Sequence, residues 1–290
     1  MDFLRPSSLA EALAAKAEHP GAVPIAGGTD VMVEINFDHR RPDALLDLGR
    51  VPELAEHGTA DGRIRLGASV SYTRIITELG HVLPGLAMAS RTVGSPQIRN
   101  RGGVGGNLGS ASPAGDAHPA LLAAGGEVEI ASVRGTRTVA AADFYTGVKR
   151  NVLEPDELIT AVHLAPATGP QQFSKVGTRN AMVIAVCAFG LALHPEQRRA
   201  GTGLGSAAPT PRRAPDAEEF LAGELDWEKP KPLSDAVLRR FGELVAAAAA
   251  PIDDVRGTAN YRRHALAVLA RRTLGWAWTD YTRGSWTACA

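Results

Sequence analysis

Ile98-Arg99-Asn100-Arg101-Gly102-Gly103-Val104-Gly105-Gly106-Asn107-Leu108-Gly109 is the stretch that decides how this chain reads. Four of the five residues from Gly102 to Gly106 are glycine. Such a run favours neither helix nor strand, because glycine loses the most backbone entropy and has no side chain to pack. It suits a place where backbone wraps closely around a ligand. Seven of the 23 residues in 94–116 are glycine, with little hydrophobic periodicity, so the whole stretch is expected to be a long functional loop. Asp116 follows nine residues after Asn107. A carboxylate there can accept bonds from ribose or ribityl hydroxyls. A plain surface loop is the competing reading of the same composition.

Working outward, a second glycine turn lies upstream, at Pro24-Ile25-Ala26-Gly27-Gly28-Thr29-Asp30. Residues 23–26 read as a short strand broken by Gly27-Gly28, and Thr29-Asp30 opens a helix. Exposed amides at a helix start favour phosphate, and the Thr29 hydroxyl is one more donor. The same spelling also fits a tight turn with an N-cap Thr or Asp.

The usual nucleotide and hydrolase signatures are missing. There is no GxGxxG dinucleotide turn, no GxxxxGK phosphate loop and no GxSxG elbow. The eight histidines are scattered without HExxH spacing, which argues against a histidine metal site. His118, beside the glycine loop, is the one to watch, although an incidental place in the core explains it as well. Two phosphate-cradling loops without that dinucleotide turn suggest a different nucleotide fold.

Bulk properties narrow the class. With 290 residues the chain makes one large domain or two ordinary ones, and 44% hydrophobic residues are enough to fill a core. The 31 basic and 31 acidic side chains cancel, which argues against a dedicated binder of nucleic acid or anionic membrane. Paired arginines such as Arg212-Arg213 and Arg271-Arg272 are scattered among acids and read as solvated faces. Cys187 and Cys289 form no CxxC, so neither a disulfide framework nor an iron–sulfur cluster held by this chain is expected. No apolar run approaches the roughly 18 residues of a membrane span, and residues 1–16 lack a signal pattern. A cytoplasmic location is expected.

Along the chain, Ser8-Leu9-Ala10-Glu11 reads as a capping box opening a helix that Pro20-Gly21 ends. Strands are expected at 45–48, 64–66, 127–131 and 157–164. Helices are expected from Tyr72, capped by Ser71, and over 84–91. Thr168-Gly169-Pro170 reads as a boundary. Beyond it, strands at 173–176, 182–193 and 200–204 precede helices near 234–250 and 258–274, an α+β pattern with an antiparallel sheet. Residues 276–290, with Trp276, Trp278 and Trp286, read as a tail, either docked or a contact surface.

At its two glycine segments the chain resembles the FAD subunits of the xanthine dehydrogenase and carbon monoxide dehydrogenase family. The first resembles that family's AGGTD turn. The second resembles its IRNxGTxGGN loop, followed by SPxxDxxP, here Ser112-Pro113-Ala114-Gly115-Asp116-Ala117-His118-Pro119. Lys175-Val176-Gly177-Thr178-Arg179-Asn180-Ala181 resembles the start of the family's C-terminal domain. Ala208-Pro209-Thr210-Pro211-Arg212-Arg213-Ala214 resembles its APTPxRA segment. Tyr261-Arg262-Arg263 with Val268-Leu269-Ala270-Arg271-Arg272 resembles its YRR…VLxRR helix. These motifs stand in family order over about residues 1–275.

The resemblance implies an α+β protein: a two-lobed FAD-binding domain of the vanillyl-alcohol oxidase type over 1–168, with lobes of about 1–56 and 57–168, then an α+β domain over 171–275. It implies that Ala26, Gly27, Gly28, Thr29 and Asp30 hold the FAD diphosphate, flanked by Ile25 and Val31. Gly103, Val104, Gly105, Gly106 and Asn107 would hold its other side. Asp116 would bind cofactor hydroxyls, Ile159 would pack near the cofactor, and Lys175 would sit near the isoalloxazine edge. As plain structure, Ile159 reads as core and Lys175 as a surface lysine. The family usually has Thr or Ser at the position of Gly103, so one hydroxyl donor is missing here. Many relatives carry Asp at the position of Val183.

An electron-transfer role is implied. Electrons would arrive from [2Fe–2S] clusters on a small partner subunit, fed by a large molybdopterin subunit, and would leave to NAD or another acceptor. The implied assembly is a heterotrimer or a pair of them. A stand-alone FAD oxidoreductase of the same fold, or a non-catalytic nucleotide-binding module, are the other readings of these loops.

Overall fold

The computed structural model describes residues 1–285. Its first lobe is a small parallel sheet: β1 (Asp2–Leu4), then α1 (Leu9–Glu18), β2 (Val23–Ile25), α2 (Val31–Asn36) and β3 (Ala44–Asp47), with strand order β1-β3-β2. Ser8 caps α1 by accepting from the Glu11 amide at 3.2 Å, while the Glu11 carboxylate reaches one residue further back, to the Ser7 amide at 2.7 Å. Ala12 of α1 and Leu46 of β3 are fully buried in a small core beneath this sheet.

The second lobe is antiparallel. After β4 (His57–Ala60) and β5 (Arg63–Gly67) come five helices: α3 (Tyr72–Glu78), α4 (Pro84–Arg91), α5 (Pro96–Arg101), α6 (Val104–Ser110) and α7 (Ala117–Ala124). The chain then returns through β6 (Glu127–Ser132), β7 (Gly135–Ala140), the small hairpin of β8 (Tyr145–Gly147) and β9 (Arg150–Asn151), and β10 (Leu158–Leu164). The sheet order is β4-β5-β10-β6-β7. Ile75, Leu108 and Leu121 from the helices meet Val128, Ile130 and Val162 of the sheet in one core.

The long loop expected over 94–116 is instead two short helices with brief breaks. Ser95 caps α5 by accepting from the Ile98 amide at 3.3 Å, and Pro96 takes the first helical position, a place where its missing N–H costs nothing. In α6 the glycines are held by tertiary contact. The Gly105 amide donates to the Ala68 carbonyl at 3.0 Å, and a Cβ on Gly105 would lie 2.5 Å from the Ala68 Cβ. Close approach of backbone to backbone thus overrides poor helix propensity.

The third unit carries β11 (Gln171–Val176), β12 (Cys187–His194) and β13 (Arg199–Gly205), antiparallel in sequence order, then α8 (Pro215–Glu224), α9 (Asp235–Ala248) and α10 (Ala259–Arg283). The strand expected over 182–193 begins only at Cys187. Met182 has φ +50, a turn conformation, and Arg179 donates to the carbonyls of Ala181 and Met182, which fixes a loop there. All of β12 is buried, because its two faces pack on different layers. Cys187, Phe189, Leu191 and Leu193 point into the core of α8, α9 and α10. Gly190 points the other way, onto α7, where a Cβ would stand 2.6 Å from the Pro119 carbonyl oxygen. The strand period of two produces this division.

The tail expected from 276 is helical through Arg283, as the last turns of α10. Trp278 is buried among Trp227 and Tyr281, and its indole N–H donates to the Lys231 carbonyl at 2.6 Å. Trp276 is exposed. Trp286 and Cys289 lie outside the described residues. No helix among the described residues is long and apolar enough to cross a membrane.

Candidate cofactor site

The two glycine turns meet. β2 ends at Ile25, and the chain turns at Gly28, where φ is +75, before α2 starts. Gly27 packs against the end of α5, with no room for a Cβ beside the Arg101 carbonyl. The residues on both sides of this contact line one cavity of about 690 Å³. That volume is within the roughly 300–1,000 Å³ typical of small-molecule and cofactor pockets.

Eleven of the fifteen residues singled out in the sequence line it: Ala26, Gly27, Gly28, Thr29, Asp30 and Val31 on one side, Gly103, Gly105, Gly106 and Asn107 on the other, and Ile159. Ile159 sits on β10 where its register with β6 shifts, between Ile159 and Ala161. Such irregularities re-aim side chains beside functional sites.

Four singled-out residues stand outside the lining. Val104 is 1% exposed and belongs to the core. Ile25 packs under Gly28. Asp116 and Lys175 are paired with each other: Lys175 Nζ donates to Asp116 Oδ2 at 2.6 Å and to the Thr92 carbonyl at 3.2 Å. Both side chains are buried, at 9% and 8% exposure. Lys175, which the resemblance places near the isoalloxazine edge and plain structure places on the surface, is an interior ion-pair partner tying β11 to the start of α7. Burial raises the Asp116 carboxyl above its usual range, and Lys175 and Thr92 partly offset this.

Some lining residues were not anticipated. Tyr72 at the start of α3, Arg101, Ser69, Ser110, Glu34, Arg40 and Lys149 all face the cavity. Glu34 holds Lys149 at 3.1 Å and Arg40 at 3.5 Å, whereas Arg101 makes no ion pair among the described residues. Arg101 directly precedes the glycine run, so its position was a signal for a cation beside an anion site. Tyr72 gave no such signal, because an aromatic residue at a helix start usually packs into core. Burial raises the Asp30 carboxyl, with Ser110 partly opposing, so Asp30 takes up a proton more readily than a surface aspartate. His118 lies off the cavity, fully buried, bonded to the Tyr145 hydroxyl at 2.7 Å and kept neutral by burial, which pulls it down to about 3. That is a core histidine.

Gly103 explains its own departure from the family pattern. A Cβ there would stand 2.6 Å from the Val70 carbonyl oxygen. The backbone of 68–70 occupies the space a Thr or Ser side chain needs.

The donor set fits FAD. A Cβ on Gly106 would meet nothing within 4 Å, so its backbone is open to the cavity. Asn107 Oδ1 and the Tyr72 hydroxyl are buried without a partner, and so is Asp116 Oδ1 behind them. Buried polar atoms of this kind call for a polar ligand or water. Among the described residues no group of three or more His, Cys, Asp and Glu side chains is placed to hold a metal ion.

Comparison with known proteins agrees. Residues 1–167 match the FAD binding domain in molybdopterin dehydrogenase, and residues 172–277 match the CO dehydrogenase flavoprotein C-terminal domain. The FAD-subunit of nicotinate dehydrogenase from Eubacterium barkeri is 34% identical over 77% of this chain and 79% of its own length. The medium subunit of nicotine 6-hydroxylase from Paenarthrobacter nicotinovorans is 31% identical over 94% of this chain and 95% of its own. Among solved structures, quinoline 2-oxidoreductase from Pseudomonas putida 86 has a chain that superimposes with a TM-score of 0.87 at 26% identity, covering 97% of this chain and 98% of that one. The chain belongs to the FAD-binding subunits of the molybdenum hydroxylases, of the xanthine and carbon monoxide dehydrogenase type. It is an oxidoreductase subunit with FAD as its cofactor.

Proposed function

We propose that this chain is the electron-transfer subunit of a molybdopterin-dependent hydroxylase. It holds FAD between residues 26–31 and 103–107, and passes electrons from [2Fe–2S] clusters of a small partner subunit to NAD or another acceptor. A large molybdopterin subunit completes a heterotrimer and selects the substrate. The single observation that carries this reading is the junction of the two glycine turns on one cavity, because a dinucleotide needs amides from two sides. The relatives support the assembly, since the nicotine 6-hydroxylase chain is a medium subunit.

Bound FAD supplies the redox chemistry, accepting electrons one at a time and releasing them in pairs. The protein's own residues bind and orient. Backbone amides at Gly27, Gly28 and Gly106 offer hydrogen bonds to the diphosphate, with Thr29 adding a hydroxyl. Arg101 supplies positive charge beside them. Ile159 and Val93 present apolar surface to the cavity. The Asp116–Lys175 pair, outside the cavity lining, ties the FAD-binding unit to the C-terminal sheet.

The test is spectroscopic and kinetic. The purified chain is expected to carry one flavin, released on denaturation, and to oxidise no organic substrate alone. Mixed with its iron–sulfur partner in the reduced state, it is expected to bleach the flavin absorbance. Turnover of an organic substrate by the isolated chain would favour a stand-alone oxidoreductase instead.

A further inference from the structure

Tyr72 opens α3 at the seam of the two glycine turns. Its amide donates to the Gly102 carbonyl at 3.0 Å. A Cβ on Gly102 would lie 3.5 Å from Tyr72 Cε2 and 3.4 Å from Thr29 Oγ1, so the ring edge and the first turn's hydroxyl share one corner of the cavity. The side chain is 3% exposed, and its hydroxyl has no partner. A buried hydroxyl left unpaired costs more than a hydrogen bond ordinarily contributes, so the position needs an explanation.

Two carboxylates stand near, yet neither takes the proton. Asp116 Oδ2 is held by Lys175 and Thr92, and Asp116 Oδ1 is itself unpaired. Burial, with the fields of Asp116 and Asp30, raises Tyr72 well above the ordinary tyrosine value. It therefore stays protonated and is available as a donor. Beside it, Gly103, bridged to Ser71, carries no hydroxyl, and the backbone of Val70 and Ala68 fills the space where one would sit. Tyr72, two residues after Val70, brings a hydroxyl of this segment to the seam, alongside the cavity-lining Ser69.

We infer that the Tyr72 hydroxyl donates a hydrogen bond to a diphosphate oxygen of the bound dinucleotide. This rests on the FAD reading above. The contact is a binding one. It adds a neutral donor to the amide cradle without placing another charge beside Asp30.

The experiment is a calorimetric titration of the flavin-stripped full chain with FAD and with ADP, for wild type and Tyr72→Phe, together with the Tm of each stripped chain. Tyr72→Phe is expected to weaken FAD and ADP alike by about tenfold, the effect of one hydrogen bond to a charged acceptor. The Tm of the stripped variant is expected to equal or exceed that of wild type, because the change removes an unsatisfied buried hydroxyl. Unchanged FAD affinity in the variant overturns the inference while leaving the cofactor reading intact. A loss for FAD with none for ADP overturns the diphosphate assignment. A fall in the stripped chain's Tm means the hydroxyl serves the fold, which also overturns it. Failure of the wild-type chain to bind either ligand removes the cofactor reading and this inference together.

Discussion

Gly27 and Arg101 touch so closely that a Cβ on Gly27 would stand 2.0 Å from the Arg101 carbonyl oxygen. The two segments meet here backbone against backbone. Gly27→Ala must push the segments apart. Overpacking of this kind costs about 1–3 kcal/mol, equivalent to a fall in Tm of roughly 2–8 °C in a chain of this size. Flavin content per chain is expected to fall with it, read as absorbance against protein concentration.

Gly106 gives the complementary case. Its Cβ would enter open space on the cavity side. Gly106→Val is expected to leave the Tm of the flavin-free chain within about 1 °C of wild type, as surface changes usually do. It is also expected to reduce bound flavin to under about a tenth, since each branched methyl takes cavity space the ligand needs. Loss of flavin and loss of stability should thus separate in Gly106→Val and coincide in Gly27→Ala.

Lys175 and Asp116 form an ion pair inside the protein. Lys175→Met strands a buried carboxylate, which costs about 3–5 kcal/mol at neutral pH. The second change Asp116→Asn should restore more than half of that in a double-mutant cycle. The sign of the pH dependence follows from Asp116, whose carboxyl is raised in the folded chain. Stability from a raised group is complete below its unfolded pKa and is lost as pH rises through the folded one. The Lys175→Met deficit is therefore expected to shrink as pH falls from 7 toward the carboxylate range, measured by urea unfolding.

Glu129 has the opposite sign. Burial alone would raise it, but Arg65, Thr160 and His163 hydrogen-bond it and hold its carboxyl down to about 2. It clamps three adjacent strands, β5, β10 and β6, with Arg65 at 2.7 Å, Thr160 at 2.6 Å and His163 at 2.7 Å. Stability from a depressed carboxyl is present above its unfolded value, 4.5, and is lost as pH falls toward about 2. Glu129→Gln is expected to lower Tm at neutral pH and to flatten its fall across that acid window. A variant with the wild-type acid slope would show that the clamp contributes nothing.

Much of this was legible in the sequence, for a physical reason. Gly27 and Gly105 sit where backbone meets backbone with no room for a Cβ, Gly28 has a positive φ, and Gly106 opens on the cavity, so spelling and geometry agree. A strand ending at Leu193 and the Ser71 cap of α3 were readable as well. The helix α6 was missed because glycine propensity points away from helix, while the contacts with 68–70 that hold it are distant in sequence; α5, which holds no glycine, was read into the same loop. The strand over 182–193 was drawn too long, since Met182 and Ile184 are apolar but exposed in a loop. Lys175 could not be placed from local sequence, because its partner Asp116 lies 59 residues away. Tyr72 has no local feature that separates a cavity-lining ring from a core one.

Amide hydrogen exchange of the flavin-stripped chain, with and without added FAD, tests the central claim most directly. FAD is expected to slow exchange in both 26–31 and 103–109, in parallel and with one saturation point. Protection of one segment alone, or of neither, would contradict the account of two turns closing on one dinucleotide.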